Sequence, residues 1–425
     1  MTGSQLYLTN TLTRKKEAFE PKENKKVKLF TCGPSIYRRL HIGNYRTFLY
    51  EDVLHRYLEY LGYQVERIIN FTDVEDKAIA EAYKRGVTLE ELTTPIARQF
   101  IREAGLLRIK LPGHIPRSSE QVDQAVHLIK ILLEKGYAYR HGKDIFYDPL
   151  TFRGFGRLYG LDMSRWPKRK VHFRKDNYAG QRWNLGDFII WHGCKKRDRD
   201  SYCWKTDIGR GRPAWNIQDP AIVTKHLGYR IDISCGGVDN LYRHHDYLIA
   251  VIEAITGQEF AHYWLHGEHL LVNGSKMSKS KGNIIYPEDL IGKGYEARHI
   301  RFYLIYGHYR EKMNFTPEGF REVSRKLDSL REMARNLTGD IPSALPAQSS
   351  KTEISTHEEL IHDLVSLFES NMNDDLQVKG AFDDLYGKLS ELMALKMKRN
   401  LSWHDGQKIR EALEKADSVF QVIYT

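Results

Sequence analysis

The feature that most constrains the fold is a strand, a turn, a helix and a second strand in direct succession. Lys26 to Thr31 contains a short apolar run and leads into the turn-forming sequence Cys32-Gly33-Pro34. A helical pattern of apolar residues follows and stops at Gly62, before the apolar segment Val65–Ile69. Such a βαβ unit builds a parallel sheet, whose ligands bind at the carboxyl ends of the strands. We therefore expect an α/β fold with a binding site near residues 32–44.

The rest of the chain divides into further predicted parts. Residues 1–297 are expected to form a Rossmann-type catalytic domain, interrupted at about 112–207 by an irregular, aromatic and basic insertion. A helical connecting region is predicted over 298–337, and a linker rich in Ser, Thr, Pro and Ala over 338–356. Leucines at helical spacing then predict an all-α helical bundle over 357–425.

Composition narrows the partners and the cellular setting. The formal net charge is +10, which favours polyanionic partners such as nucleic acid or nucleotides. Four cysteines in 425 residues do not make a disulfide framework, so reduced thiols and a cytoplasmic location are expected. No apolar run reaches the roughly 20 residues that cross a bilayer, so no membrane partner is expected.

Two segments carry chemistry. The first, Pro34–Asn44, places His41 and Gly43 at a predicted helix N-terminus, where backbone N–H groups favour anions and a flat base can lie against the chain. The second, Lys276–Ser280, is a loop of lysines and hydroxyls able to wrap a triphosphate. Each segment alone also matches an ordinary solvated loop. Together they predict adenylate formation, in which a carboxylate attacks the α-phosphate of ATP and lysines stabilise the leaving pyrophosphate.

The chain resembles the cysteinyl-tRNA synthetases, a class I aminoacyl-tRNA synthetase family, over nearly its whole length. The matching stretches are Thr31–Pro34, His41–Asn44, Asn70–Lys77, Gly211–Trp215, Gly236–Asp239, His244-His245, Tyr263–His266 and Lys276–Asn283. The resemblance implies a ligase that uses ATP with Mg²⁺ to form an aminoacyl adenylate.

The same resemblance implies roles for individual residues. The implied catalytic residues are His41, Asn44, Lys276 and Lys279. The implied ATP-binding residues are Gly43, Gly236, Gly237, Asp239, Met277, Ser278 and Ser280. The implied amino-acid pocket consists of Cys32, Thr72, Trp215, Asp219 and His244.

The family's zinc site is altered in this sequence. Its ligands, two Cys, a His and a Glu, map onto Cys32, Asp219, His244 and Leu248. Leu248 has no donor atom, and Asp219 is a harder ligand than a thiolate. Cys235, on the nearby glycine loop, could replace one missing thiolate, so the residual metal candidates are Cys32, Asp219, Cys235 and His244. We expect no zinc, and therefore a different way of recognising cysteine or a different substrate.

Three functions follow from these observations. The first is an enzyme that activates an amino acid or similar carboxylate and transfers it to a small amine or carrier, slightly favoured because of the altered metal site and because no anticodon-binding domain follows the helical region. The second is a genuine aminoacyl-tRNA ligase, favoured by the basic composition. The third, a catalytically silent RNA-binding paralogue, is opposed by the intact lysine loop.

Overall fold

The structure is a computed structural model that describes residues 5–173, 185–196, 198–241, 243–339, 351–398 and 401–424. Of residues 279 and 351–356 it describes the backbone alone. The strands are β1 (Tyr7–Asn10), β2 (Lys15–Ala18), β3 (Lys26–Thr31), β4 (Gln64–Ile69), β5 (Ala138–His141), β6 (Asp144–Tyr147), β7 (His172–Phe173), β8 (Asp187–Gly193), β9 (Gly211–Pro213), β10 (Ile231–Gly237), β11 (Ala261–Gly267), β12 (Leu270–Val272), β13 (Ser275–Lys276) and β14 (Met313–Phe315). The helices are α1 (Ile42–Tyr60), α2 (Asp76–Arg85), α3 (Leu89–Leu106), α4 (Val122–Glu134), α5 (Trp215–His226), α6 (Val238–Leu241), α7 (His244–Thr256), α8 (Pro287–Ile291), α9 (Ala297–Ile305), α10 (Pro317–Thr338), α11 (Lys351–Asn373), α12 (Val378–Met397) and α13 (Trp403–Phe420).

Four parallel strands in the order β11-β10-β3-β4 form the central sheet. The helix α1 connects β3 to β4, which confirms the predicted βαβ unit and the α/β class. Strand β10 pairs with β3 although about 200 residues separate them in sequence, placing Cys235 opposite Thr31. Because the strands are parallel, the segments that follow β3, β4, β10 and β11 all leave from the same edge of the sheet.

The segment predicted as an irregular insertion is more regular than expected. It contains α4 and a sheet in the order β5-β6-β8-β7, with β9 paired to β8. Tyr147, Phe188 and Trp191 from this sheet form one apolar cluster with Ile217 of α5 and Tyr247 of α7. The insertion therefore buttresses the two helices that carry Asp219 and His244.

A disulfide joins Cys194 to Cys203, which corrects the expectation that all four cysteines are reduced. The bridge closes the loop that follows β8. Cys32 and Cys235 are free thiols. A single bridge can close a short loop without a cysteine-rich framework, so the small cysteine count did not exclude it.

The C-terminal part of the chain is helical. The helices α11, α12 and α13 pack on one another and on α10 and α1, and their apolar faces share one core with the central sheet. Of the predicted linker, residues 340–350 lie outside the described residues, whereas 351–356 already belong to α11. Among the described helices, none is long and apolar enough to cross a membrane.

Candidate active site

The turn after β3 brings the first motif to the edge of the sheet. Gly33 lies against the backbone that follows β4: its N–H donates to Asn70 Oδ1 at 2.9 Å, and an added Cβ would stand 1.6 Å from the Asn70 carbonyl oxygen. Only glycine fits this approach. The contact fixes the path of residues 33–41 across the ends of the strands.

His41 and Asn44 lie at the N-terminus of α1. The backbone N–H of His41 donates to Asn44 Oδ1 at 3.0 Å. Asn44, in the first turn of α1, therefore helps to cap the N-terminus of that helix. Burial, reinforced by the charge of Lys276 and only partly offset by a hydrogen bond to the backbone, lowers the pKa of His41 to about 4. The imidazole is therefore neutral near pH 7, and its buried Nδ1 has no hydrogen-bond partner among the described residues. It can offer a hydrogen bond without adding a charge.

The lysine loop follows the hairpin of β12 and β13. Lys276 Nζ donates to both oxygens of Asp239, at 3.0 and 3.1 Å. Met277 is buried, and its Cε would stand 2.5 Å from a Cβ added to Gly43. The loop itself is held by Asn283, whose Oδ1 accepts from the Ser278 N–H at 2.9 Å. The two motifs, more than 230 residues apart in sequence, are thus in direct contact.

A cluster of three donors lies at the other end of the site. Asp219 Oδ2 is 3.4 Å from Cys32 Sγ and 2.6 Å from His244 Nε2, and Cys32 Sγ is 3.5 Å from the same nitrogen. Since a carboxylate has no hydrogen to give, Asp219 accepts from both side chains. Asn70 Nδ2 donates to its other oxygen at 2.9 Å. Trp215 stacks on the His244 ring, with centroids 5.0 Å apart.

This cluster does not reproduce a zinc site, although its three donor atoms lie within 4.8 Å of one another. The nitrogen and oxygen of His244 and Asp219 are at hydrogen-bond distance, whereas two such ligands of a tetrahedral zinc ion stand roughly 3.3 Å or more apart. Leu248, at the fourth family position, is buried in an apolar cluster. The cluster closes on itself through hydrogen bonds, so its residues do not fit the zinc ion of the family.

Cys235 does not belong to this cluster, which corrects its assignment as a replacement ligand. Its backbone carbonyl accepts from the Cys32 N–H, but its side chain is fully buried among the core residues between the sheet and α1. Burial, and then the nearby charge of Glu51, raises the pKa of its thiol. Adjacent side chains along a strand point to opposite faces, and Cys235 faces away from the site.

One cavity of about 950 Å³ joins the two motifs and the donor cluster. Most of the predicted residues line it: Cys32, His41, Gly43, Asn44, Thr72, Trp215, Gly237, Asp239, His244, Lys276, Met277 and Ser278. Gly236 and Asp219 lie behind its wall, where they contact lining residues. Ser280 is not among the lining residues, but its Oγ lies 3.2 Å from Ser278 Oγ, and the side chain of Lys279 lies outside the described residues.

Comparison with known proteins decides the family. Residues 18–325 match the family described as tRNA synthetases class I (C) catalytic domain. A cysteine–tRNA ligase of Chlamydia pneumoniae is 35% identical over 421 residues, covering 98% of this chain and 86% of the relative. The chain belongs to the cysteinyl-tRNA synthetase family. It is accordingly an enzyme of the ligase class.

A second member of the cysteinyl-tRNA synthetase family agrees with this assignment, and a more distant synthetase shares the fold. A cysteine–tRNA ligase of Oceanobacillus iheyensis is 34% identical, with 99% of this chain and 86% of the relative covered. The solved structure of a Mycobacterium tuberculosis methionyl-tRNA synthetase in complex with methionyl-adenylate superposes with a TM-score of 0.65 at 15% identity. That superposition covers 94% of this chain and 90% of the other, and it shows a shared fold.

Several residues in this cysteinyl-tRNA synthetase family site had no role assigned from the sequence. Asn70 holds both Gly33 and Asp219, and its position directly after β4 was the signal that could have identified it. Asn240 donates to Cys32 Sγ at 3.3 Å. His269 lines the cavity with its Nε2 3.4 Å from Asp239. No sequence pattern pointed to His269, because its partner lies 30 residues away on another loop.

Proposed function

We propose that the chain is an aminoacyl-tRNA ligase that forms an aminoacyl adenylate and transfers the aminoacyl group to a tRNA. The observation that carries the proposal is the single cavity in which the groups of both motifs face a separate pocket of Cys32, Trp215 and His244. Nucleotide phosphates at the first end and an amino acid at the second would place the carboxylate beside the α-phosphate.

The proposed reaction has two steps. The carboxylate oxygen of the amino acid attacks the α-phosphorus of ATP, and the bond to the bridging oxygen breaks, so that pyrophosphate leaves with the electron pair. A ribose hydroxyl at the 3′ end of tRNA then attacks the acyl carbon, and AMP leaves as the acceptor loses a proton. Neutral His41, the amide of Asn44 and the cationic Lys276 would stabilise the negative charge that develops on phosphate oxygens in the first step. No general base is needed there, because the carboxylate is already ionised.

The tRNA acceptor replaces the small amine that the sequence slightly favoured. The similar relatives are cysteine–tRNA ligases that align along almost the entire chain. Arg38, Lys77 and Arg85 are among the cationic side chains that line the cavity, and the exposed Arg38 and Arg85 could meet a polyanionic acceptor. Arg38 also lies over the ring of Tyr37, at 5.1 Å from its centroid. Such a cationic and aromatic surface suits a single-stranded end of RNA.

Cysteine is the first candidate for the amino acid, again because of the relatives. We propose that the pocket recognises it without zinc, through the hydrogen-bonded cluster of Cys32, Asp219 and His244. Metal analysis of the purified enzyme should find well under one zinc per chain, and activity should be unchanged after treatment with a chelator followed by its removal and restoration of Mg²⁺. One tightly held zinc per chain, with loss of activity on its removal, would contradict this part of the proposal. A cytoplasmic location stays a prediction from composition.

The decisive experiment is an ATP–pyrophosphate exchange screen over the twenty amino acids, followed by aminoacylation of total tRNA. We expect exchange with cysteine and label transfer to tRNA. Exchange without transfer to tRNA would favour a small acceptor, and no exchange with any amino acid would favour the silent paralogue. Binding of tRNA should weaken steeply with salt, since phosphate contacts release counterions.

The lysine loop provides a matched pair of variants for the same assay. Lys276→Ala should lower the exchange rate by about 10²-fold, the range for loss of one charge-stabilising donor. Lys293→Ala removes an exposed lysine near the end of α8 and should leave the rate unchanged. Equal rates for the two variants would show that Lys276 does not act on the phosphates.

A further inference from the structure

Two ionisable side chains, Lys276 and His269, meet at the carboxylate of Asp239 on the wall of the nucleotide end. Asp239, at the start of α6, accepts from Lys276 through both oxygens, and His269 Nε2 lies 3.4 Å from its Oδ1. Asp239 is also the residue expected to hold the ribose of ATP. The catalytic lysine and the ribose therefore compete for one acceptor.

A second contact of the loop has the same character. Met277 covers Gly43, the position where the base of the nucleotide is expected to lie against the backbone. With Lys276 on Asp239 and Met277 on Gly43, consecutive loop residues occupy both places predicted for adenosine. A nucleoside can therefore bind Asp239 only if Lys276 moves away, and can lie against Gly43 only if Met277 moves away.

We propose that Asp239 is a positioning residue for Lys276: it holds the lysine in an ion pair and releases it when a ribose hydroxyl takes the carboxylate. The inference rests on the proposed function and extends it. On release, Lys276 is free to follow the phosphates of the same nucleotide. Nucleoside binding and delivery of the lysine are thereby coupled through one carboxylate.

His269 keeps the carboxylate in place during this exchange. Burial alone would raise the pKa of Asp239, but the hydrogen bond and charge of His269, together with Lys276, lower it to about 2. When Lys276 leaves, His269 remains as the side chain that orients Asp239 toward the ribose. We therefore assign His269 as a second positioning residue, acting through Asp239.

The coupling predicts opposite effects of a nucleoside and of its triphosphate on the loop. Adenosine takes Asp239 and offers the lysine no phosphate, so hydrogen–deuterium exchange of backbone amides in 275–283 should rise at least about twofold. Mg²⁺-ATP offers a ribose to Asp239 and phosphates to Lys276, so hydrogen–deuterium exchange of the loop should fall below its rate in the enzyme without added nucleotide. 2′,3′-Dideoxyadenosine keeps the base, which can displace Met277, but lacks the hydroxyls that would take Asp239, so it should raise the loop's hydrogen–deuterium exchange less than adenosine does. Adenosine that protects the loop, or that acts like its dideoxy analogue, would overturn the handover.

Variants separate the handover from the adenylation reaction. Asp239→Asn can still accept from a ribose hydroxyl but cannot form the ion pair with Lys276. The loop amides of this variant should therefore exchange hydrogen for deuterium fast without adenosine, and adenosine should not raise the rate further. Glu318→Gln, exposed in the first turn of α10, should behave like the wild type. If ATP protects the loop but adenosine never loosens it, only the handover fails. If no nucleotide affects the loop or binds at all, the proposed function fails.

The role of His269 has its own test in steady-state kinetics. His269→Ala should raise the KM for ATP about three- to tenfold, the net worth of one ordinary hydrogen bond, with kcat little changed. His269→Gln can donate the same hydrogen bond and should restore most of the loss. A fall in kcat without a change in KM, or no rescue by Gln, would contradict a positioning role.

Discussion

At the scale of single residues, Gly33 shows how one absent methyl group decides the geometry of the site. The sequence identified Gly33 only as part of a turn, because nothing local reveals that the backbone after β4 passes within contact distance. Cys32, His41 and Lys276, singled out from the sequence, all line one cavity, and their roles there stay predictions. The sequence could not tell which face of β10 carries Cys235.

The close approach at Gly33 gives a sharp prediction. Gly33→Ala must push a methyl group against the Asn70 carbonyl, so we expect about 1–3 kcal/mol of lost stability and strongly reduced adenylate formation. Gly105 is exposed near the end of α3, and among the described residues no atom outside the local helix backbone lies within 4 Å of a Cβ added there. Gly105→Ala should therefore be neutral or slightly stabilising. Thermal denaturation and pyrophosphate exchange measure both effects. Comparable stability of the two variants would contradict the contact.

At the scale of elements, the hydrophobic pattern of a long helix could be recognised in the sequence, whereas that of the shortest strands could not. The 19 residues of α1 show enough apolar periodicity to be recognised, and its packing between β3 and β4 follows from the βαβ rule. The strands β5 and β6 have 4 residues each and β7 has 2, too few for an alternating pattern to stand out. Their pairing depends on partners distant in sequence, so the insertion looked irregular.

The disulfide after β8 can be checked by counting thiols. Alkylation of the denatured, unreduced protein should label Cys32 and Cys235 alone, and prior reduction should expose Cys194 and Cys203 as well. Mass spectrometry of the peptides distinguishes the two patterns. As a control, Cys32→Ser should lose one label under either condition. Four labels without reductant would mean that the bridge does not form in solution.

A buried carboxyl group connects α1 to the sheet. Glu51 of α1 lies 3.3 Å from Arg67 of β4. Burial, which outweighs the opposing charge of Arg67, raises the pKa of Glu51 to about 8. The folded state therefore binds a proton that the unfolded state releases above about pH 4.5, so wild-type stability should fall as the pH rises from 4.5 to 8.

Replacing Glu51 tests the sign of this effect. Glu51→Gln cannot ionise, so its stability relative to the wild type should improve by about 1–3 kcal/mol between pH 5.5 and 8.5. Urea denaturation at the two pH values measures the difference. Glu66→Gln, exposed on the same strand as Arg67, should show no such trend. A constant difference between Glu51→Gln and wild type would mean that Glu51 is ionised throughout.

At the scale of the whole molecule, Asp375 connects three distant parts of the chain. It lies in the turn between α11 and α12 and is almost completely buried. Its oxygens accept from the backbone and hydroxyl of Thr9, from Tyr309 and from Arg310 at 2.7–2.9 Å. The N-terminal hairpin, the segment before β14 and the helical bundle are thereby joined. The sequence predicted a bundle but could not reveal this junction, because the partners of Asp375 lie 65 to 366 residues away from it in sequence.

Two neighbouring aspartates offer a matched test of that junction. Asp375→Asn keeps the size and tolerates the left-handed backbone (φ 59°), but loses charge from a buried network, so about 2–4 kcal/mol of stability should be lost. Asp374→Asn removes an ion pair with Lys16 at the surface and should cost less than about 1 kcal/mol. Chemical denaturation compares them. Similar costs would show that the buried network contributes little.

The strand order of the central sheet has a consequence for synthesis. In the central sheet β3 lies between β4 and β10, so the edge of β3 that pairs with β10 stays unpaired while the ribosome adds about 200 residues. Thr9 likewise has no Asp375 to bind until the helical bundle is synthesised. Contacts of such long sequence separation form slowly and leave pairing surfaces exposed in the meantime. The nucleotide site of the nascent chain is therefore incomplete until Lys276 has been synthesised. Until β10 is made, the unpaired edge of β3 is a surface to which chaperones can bind.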